Sequence, residues 1–307
     1  MERPDRLQLA APAKLNLHLE VRGKRPDGYH DLRMLMVPVS WWDEITLERL
    51  AEPGRVELRC SGEPGVEAGA DNLCVRAARY YFEQAGVAGG VRIALRKRIP
   101  TGAGLGGGSS DAAAVILGLE RLYQEPLGEG ARREAAFRVG ADVPFFFARC
   151  AAWVEGIGER VRPCRLAEPL WFVVVCPGVF LSTARVFSRF TMGLTTSDRV
   201  HTIAQFNFQG VVRGLRNDLQ PAAQALEPRV AEALDAVAAV GAPGRLMTGS
   251  GSAVFGLFAG EADARRAALR LRSLREARRW QVEAVRTVAP GAFPFWESTS
   301  HRGVDKR

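Results

Sequence analysis

The sequence lacks any run of ~18 consecutive apolar residues, so no segment of it reads as a membrane-spanning helix. Its five cysteines are an odd number, and none stands in C-x-x-C or at zinc-site spacing. That argues against a disulfide framework or structural zinc and for free thiols in a reducing compartment. Residues 1–16 have no apolar signal core and mix acids with arginines, so neither a secretory nor a transit peptide is read there, and a cytoplasmic protein is expected. No strong excess of one charge marks the chain as disordered. It is 47% hydrophobic and 25% charged, with a net charge of +8. The excess is uneven, since residues 261–307 carry 11 Lys/Arg against 6 Asp/Glu. An arginine-rich solvated helix face accounts for it more simply than RNA binding. The length of 307 residues favours two domains.

What is present begins with alternation. Over residues 7–21, Leu15, Leu17, Leu19 and Val21 fall on one face of a strand and Lys14, Asn16, His18 and Glu20 on the other. Lys14 and Asn16 then point the same way, about 7 Å apart at ~3.3 Å per residue. Residues 23–31 are turn chemistry carrying two rings, Tyr29 and His30. Strands are expected within 32–50, at 56–60 and at 91–95. A helix capped by Asp71 is expected over 72–84, and another over 131–139. From residue 170 a second pattern starts: a strand at 171–175, a mixed region to about 217, then alternating helices and strands to 288. We expect a domain of residues 1–160, a second of 161–288, and a loose tail of 289–307.

The most informative stretch is P-T-G-A-G-L-G-G-G-S-S-D at 100–111. Glycines at 102, 104, 106, 107 and 108 clear side chains away, so backbone N–H groups can approach an anion. A helix then starts, and its first N–H groups favour phosphate. Three known nucleotide loops fit poorly. The P-loop needs Gly-Lys-Ser/Thr, and no lysine stands in the loop. The dinucleotide pattern G-x-G-x-x-G is formally met by Gly102, Gly104 and Gly107, but no strand with an acid follows. The protein-kinase motifs H-R-D and D-F-G are missing.

The loop resembles instead the phosphate loop of the GHMP kinases. A-P-A-K-L-N-L at 11–17 and G-S-G-S-A-V-F at 249–255 resemble that family's N-terminal and C-terminal motifs. Three further segments resemble the branch that phosphorylates 4-(cytidine 5'-diphospho)-2-C-methyl-D-erythritol: R-P-D-G-Y-H-D at 25–31, G-A-D-V-P-F-F at 140–146 and R-N-D-L-Q-P at 216–221. The resemblance implies an α+β, two-domain GHMP kinase fold. Its N-terminal domain would resemble ribosomal protein S5 domain 2, its C-terminal domain would be ferredoxin-like, and the site would lie between them.

It also implies roles. Lys14, which by spacing alone is a solvated edge residue, would sit beside the substrate hydroxyl and the transferred phosphate. Asp142, otherwise a helix cap, would be the base. Pro100, Thr101, Gly102, Ala103, Gly104, Leu105, Gly106, Gly107, Gly108, Ser109 and Ser110 would hold ATP, with Ser109 touching Mg²⁺ carried by ATP. Asn16, Tyr29, His30, Thr183 and Phe187 would hold the cytidyl substrate, with Tyr29 and Phe187 stacking the base from two domains and His30 reading its Watson–Crick edge. Ser182-Thr183-Ala184 departs from the branch's S-T-P. The reaction implied is ATP-dependent phosphorylation of the 2-hydroxyl in the methylerythritol phosphate route to isoprenoid precursors. Partners would be small molecules only, with no nucleic acid and no membrane, in a monomer or homodimer. The alternatives are a homoserine-type or mevalonate-type kinase or, outside enzymes, a basic nucleic-acid-binding protein.

Overall fold

The computed structural model describes residues 4–64, 66–191, 206–274, 279–292 and 297–298. Two long strands, β1 (Arg6–Lys24) and β2 (His30–Leu50), form an antiparallel pair closed by the 25–29 turn, where the Arg25 N–H donates to the Tyr29 carbonyl at 2.8 Å. A crossover of β3 (Val56–Gly62), α1 (Leu73–Ala85) and β4 (Gly90–Lys97) places β3 parallel to β4, and β4 pairs antiparallel with β2. The glycine loop leads into α2 (Gly107–Tyr123), followed by α3 (Glu129–Arg138) and α4 (Val143–Phe147). A hairpin of β5 (Ala152–Gly156) and β6 (Arg160–Pro163) extends the sheet along β2.

The second unit contains β7 (Trp171–Cys176), α5 (Thr183–Arg189), α6 (Phe208–Gly214), β8 (Arg216–Asn217), α7 (Gln220–Leu226), α8 (Pro228–Ala239), β9 (Gly244–Met247), β10 (Val254–Phe258), α9 (Glu261–Arg272) and β11 (Gln281–Arg286). Its sheet runs β11-β7-β10-β9, antiparallel throughout. Apart from β8, the order is strand–helix–strand–strand–helix–strand, the ferredoxin-like arrangement. β8 leaves this sheet and pairs parallel with β1, and β12 (Glu297–Ser298) pairs with β1 antiparallel.

Several boundaries differ from those read in the sequence. Asn72, not Asp71, caps α1, accepting from the Cys74 N–H at 2.9 Å. Residues 32–50 lie in one continuous strand, not several. The first sheet passes residue 160, because β6 pairs with β5 as far as Pro163. The tail is not wholly loose: Glu297–Ser298 pairs with β1, and the Arg149 guanidinium donates to the Gly291 carbonyl at 2.7 Å. The short helices α5 and α6 in the mixed region, and α7 just after it, are not read from the sequence. At seven residues each, they show too little periodicity to read.

The largest departure is in β1. Its odd-numbered apolar residues do not share one face. Leu7, Leu9, Ala11, Leu19 and Val21 join the core under α2, while Ala13, Leu15 and Leu17 join a second core shared with β7 and β10. Register shifts between Pro12 and Ala13 and between Asn16 and His18 cause the exchange. A bulge turns the following side chains over, because the side-chain period is two. Between the two bulges, Leu15 and Leu17 face the second domain and Lys14 turns to the N-terminus of α2. That helix lies close on the sheet: a Cβ on Gly118 would stand 2.4 Å from Leu47 and 2.7 Å from Leu9. Its residues 110–119 are all buried.

Candidate active site

Lys14 is 3% exposed, so it is not the solvated edge residue its spacing alone suggests. Its main-chain N–H donates to the Leu105 carbonyl of the glycine loop at 2.9 Å. Its ammonium donates to Asn16 Oδ1 at 2.6 Å and stands 3.6 Å from Asp142 Oδ2. Asp142 comes from a different element, the residue just before α4, yet its side chain caps nothing. Helix capping therefore does not consume its carboxylate. Phe145 and Phe146 behind it are buried and anchor the short helix.

Asn16 is fully buried and held from two sides. Its N–H donates to Thr248 Oγ1 at 3.0 Å, and its Oδ1 receives the lysine. That fixes the orientation of the amide, and its Nδ2 has no partner although it is buried. A buried donor left unmade is costly, and this one is open to an acceptor.

The glycine loop closes the third side. Gly106 adopts φ +68 at the start of α2, and a Cβ there would lie 2.9 Å from Lys14 Cγ and 3.4 Å from Asp142 Oδ2. Gly104, at φ +78, faces the second domain, where a Cβ would stand 2.4 Å from the Thr248 carbonyl. The Ala253 N–H donates to the Ala103 carbonyl at 3.1 Å, so the two glycine motifs are hydrogen-bonded across the domains. A Cβ on Gly249 would come within 3.3 Å of Lys14 Nζ. Thr248 and Gly249 thus belong to the site. The sequence marked the 249–255 motif that Gly249 opens but assigned no residue within it, and Thr248 stands just before it. Asn217, in the R-N-D-L segment, holds this corner by donating to the Met247 carbonyl at 2.7 Å and the Gly249 carbonyl at 2.8 Å.

On the substrate side the expected residues gather in part. The Thr183 hydroxyl lies 2.8 Å from that of Ser250. The His30 and Phe187 rings, from different domains, stack on each other with centroids 4.6 Å apart. A base between two rings needs roughly 7 Å, two stacking distances of ~3.4 Å, so none fits between these two as they stand. Tyr29, the residue before His30, is 60% exposed. Burial, with Lys24 adding to it, lowers the His30 pKa and favours the neutral ring.

Two hydroxyls lie at the helix start. Ser109 points toward Gly140, where a Cβ would meet its Oγ at 3.3 Å, and the buried Ser110 Oγ has no partner. Among the described residues no group of three or more His, Cys, Asp or Glu could hold a metal by itself. Hard oxygen donors of this kind suit Mg²⁺ held chiefly by phosphates.

Beneath the loop, Lys97 is bonded to Asp43 and, at 2.7 Å, to Asp111, all three being buried. Burial pushes the Asp111 carboxyl up to about 8. In Lys97 burial acts downward and is outweighed by Asp111 and Asp43, which leave its pKa raised. A cavity of about 990 Å³ lies elsewhere, lined by Trp42, Cys164 and Arg286, and none of the site residues line it.

Residues 72–149 match the GHMP kinases N terminal domain and residues 201–276 the GHMP kinases C terminal family. A 4-diphosphocytidyl-2-C-methyl-D-erythritol kinase of Citrifermentans bemidjiense is 43% identical over 285 residues, covering 92% of this chain and 99% of its own. One of Polaromonas sp. is 45% identical, covering 82% of this chain and 84% of its own. A crystal structure of 4-(cytidine 5'-diphospho)-2C-methyl-D-erythritol kinase aligns at TM-score 0.73 and 39% identity, over 92% of this chain and 100% of that one. A homoserine kinase from Cytophaga hutchinsonii aligns at TM-score 0.76 but 17% identity, over 97% and 99%, a likeness of fold alone.

Proposed function

The chain belongs to the GHMP kinases, among the 4-diphosphocytidyl-2-C-methyl-D-erythritol kinases, and on that premise we propose how it phosphorylates 4-(cytidine 5'-diphospho)-2-C-methyl-D-erythritol. The γ-phosphoryl group of ATP passes to the 2-hydroxyl, giving the 2-phosphate and ADP. One observation carries the mechanism: Lys14 and Asp142, brought together from β1 and the start of α4, face each other at 3.6 Å over the side-chain-free start of α2.

Phosphoryl transfer asks mainly for positioning and for charge stabilisation. The backbone N–H groups of the loop and the first turn of α2 supply both to the ATP phosphates. Asp142, within reach of a hydroxyl placed at ~3 Å, takes its proton. Lys14 offsets charge gathering on the transferred group, and Asn16 fixes its ammonium. The free Nδ2 of Asn16 donates to an oxygen of the substrate polyol. Ser109 would offer an oxygen to Mg²⁺, which supplies charge neutralisation on the phosphates when bound.

For the base, we place cytosine on the exposed face of Tyr29, with Phe187 and His30 completing the pocket once their rings part. Thr183, tied to Ser250, sets the α5 side of that pocket. The test is ADP release with ATP and, in turn, the cytidyl substrate, homoserine, mevalonate and galactose. Turnover with the cytidyl compound alone is the expected result. Faster turnover of homoserine or mevalonate would overturn the assignment.

A further inference from the structure

A loop of glycines has few side chains with which to fix its own shape. Here both of its ends are tied to one buried ammonium. At the entry, Asp43 on β2 accepts from the Arg98 N–H at 2.5 Å and from the Ile99 N–H at 2.9 Å, the two residues just before Pro100. Asp43 also receives Lys97. At the exit, Lys97 donates to Asp111 Oδ2 at 2.7 Å, in the first turns of α2. The side chains of Lys97, Asp43 and Asp111 are 4%, 0% and 1% exposed, so solvent screens the clasp little. The ammonium also lies under the first helical turn: a Cβ on Gly107 would stand 3.1 Å from Lys97 Nζ. None of the three touches Lys14 or Asp142 through a hydrogen bond or ion pair in the structure.

We propose that Asp43, Lys97 and Asp111 form a clasp that sets the span of the phosphate loop, and so act as positioning residues for ATP rather than for the cytidyl substrate. The proposal rests on the kinase reading only in taking the loop as the ATP site. Binding of ATP aligns N–H groups on both sides of the clasp, at the loop and at the helix start. A change in the distance between those two ends costs ATP affinity directly. The cytidyl pocket, built from the 25–30 turn, Thr183 and Phe187, shares no residue with the clasp.

The test is equilibrium binding of MgATP, by calorimetry, to the whole protein carrying Asp43→Ala, Asp43→Asn or Asp111→Ala. Thermal unfolding is run alongside, and KM for the cytidyl substrate is measured at saturating ATP. Asp43→Ala releases both amides and the lysine, and should weaken MgATP at least tenfold while the cytidyl KM stays within twofold. Asp43→Asn keeps an oxygen for the two amides and should recover most of the loss. Should Asp43→Ala fail to fold, Asp111→Ala decides, because it leaves Lys97 paired one-to-one with Asp43 and so avoids an unpaired buried charge. It too should weaken MgATP about tenfold. MgATP affinity within twofold of wild type in folded Asp111→Ala overturns the clasp, as does an equal rise in both constants. A wild type that binds no MgATP would count against the kinase reading itself.

Discussion

The Lys14 ammonium lies 3.6 Å from an Asp142 carboxylate oxygen while donating to Asn16 at 2.6 Å, so the lysine is fixed by the asparagine and left facing the aspartate. The approach of Asp142 to Lys14 is not visible along the chain. A general base contributes about 10²–10⁴-fold, so Asp142→Asn should lower kcat by about 10²-fold or more and leave MgATP binding intact. Lys14→Ala should also act on kcat, because its attraction grows as charge develops on the transferred group. Steady-state kinetics with both substrates checks both, and a kcat within threefold of wild type in Asp142→Asn would remove it from the mechanism.

Gly104 and Gly106 should fail in different ways. A Cβ at Gly104 meets the Thr248 backbone at 2.4 Å, and backbone cannot swing aside. At Gly106 it meets the flexible Lys14 side chain at 2.9 Å. Gly104→Ala should therefore lower Tm by opening the contact between domains. Gly106→Ala should cost less Tm and more kcat, through a displaced lysine. Equal losses of Tm would contradict this reading.

Tyr29→Ala removes a ring that is 60% exposed, so Tm should hold. Stacking of a base is worth roughly 1–3 kcal/mol, so the KM for the cytidyl substrate should rise about tenfold or more while that for ATP stays unchanged. The reverse pattern would mean that the two pockets are assigned the wrong way round.

Asn217 serves three main-chain groups: the Met247 and Gly249 carbonyls and the Leu219 N–H, which donates to it at 2.9 Å. Asn217→Ala leaves these without their partner, at about 1–3 kcal/mol for each that stays buried and unsatisfied. Both Tm and kcat should fall, since Gly249 borders Lys14. A variant with wild-type Tm would show that this corner is held by other contacts.

His18 provides a pH dependence. Burial, opposed by its bond to the Gly214 carbonyl, lowers its pKa in the folded protein below 6.5. Above 6.5 the ring is neutral folded or unfolded and has no effect. Below it the unfolded chain binds a proton that the folded one resists, so stability falls as pH drops. Tm should decline from pH 7 to 5, and His18→Gln should flatten that decline. An unchanged slope would exclude His18 as its source.

The local pieces are legible along the chain. Five glycines within 102–108 before a helix specify an anion loop because that property is a matter of backbone alone. The strand alternation placed Lys14 and Asn16 together for the same local reason. The three ordered motifs brought the family and its two-domain fold. What those pieces face depends on packing between distant segments. Two bulges in β1, set by pairing with β2, turned Lys14 away from solvent and toward α2. The docking of the second domain buried the polar face of β1 and brought Thr248, Gly249 and Asn217 to it across roughly 200 positions of chain. Asp111 closes the glycine motif, but Asp43 and Lys97 carried none, and the three became a cluster only when β2, β4 and α2 packed. A hydrogen bond between residues distant in sequence has no period or spacing to betray it, because packing rather than local conformation creates it.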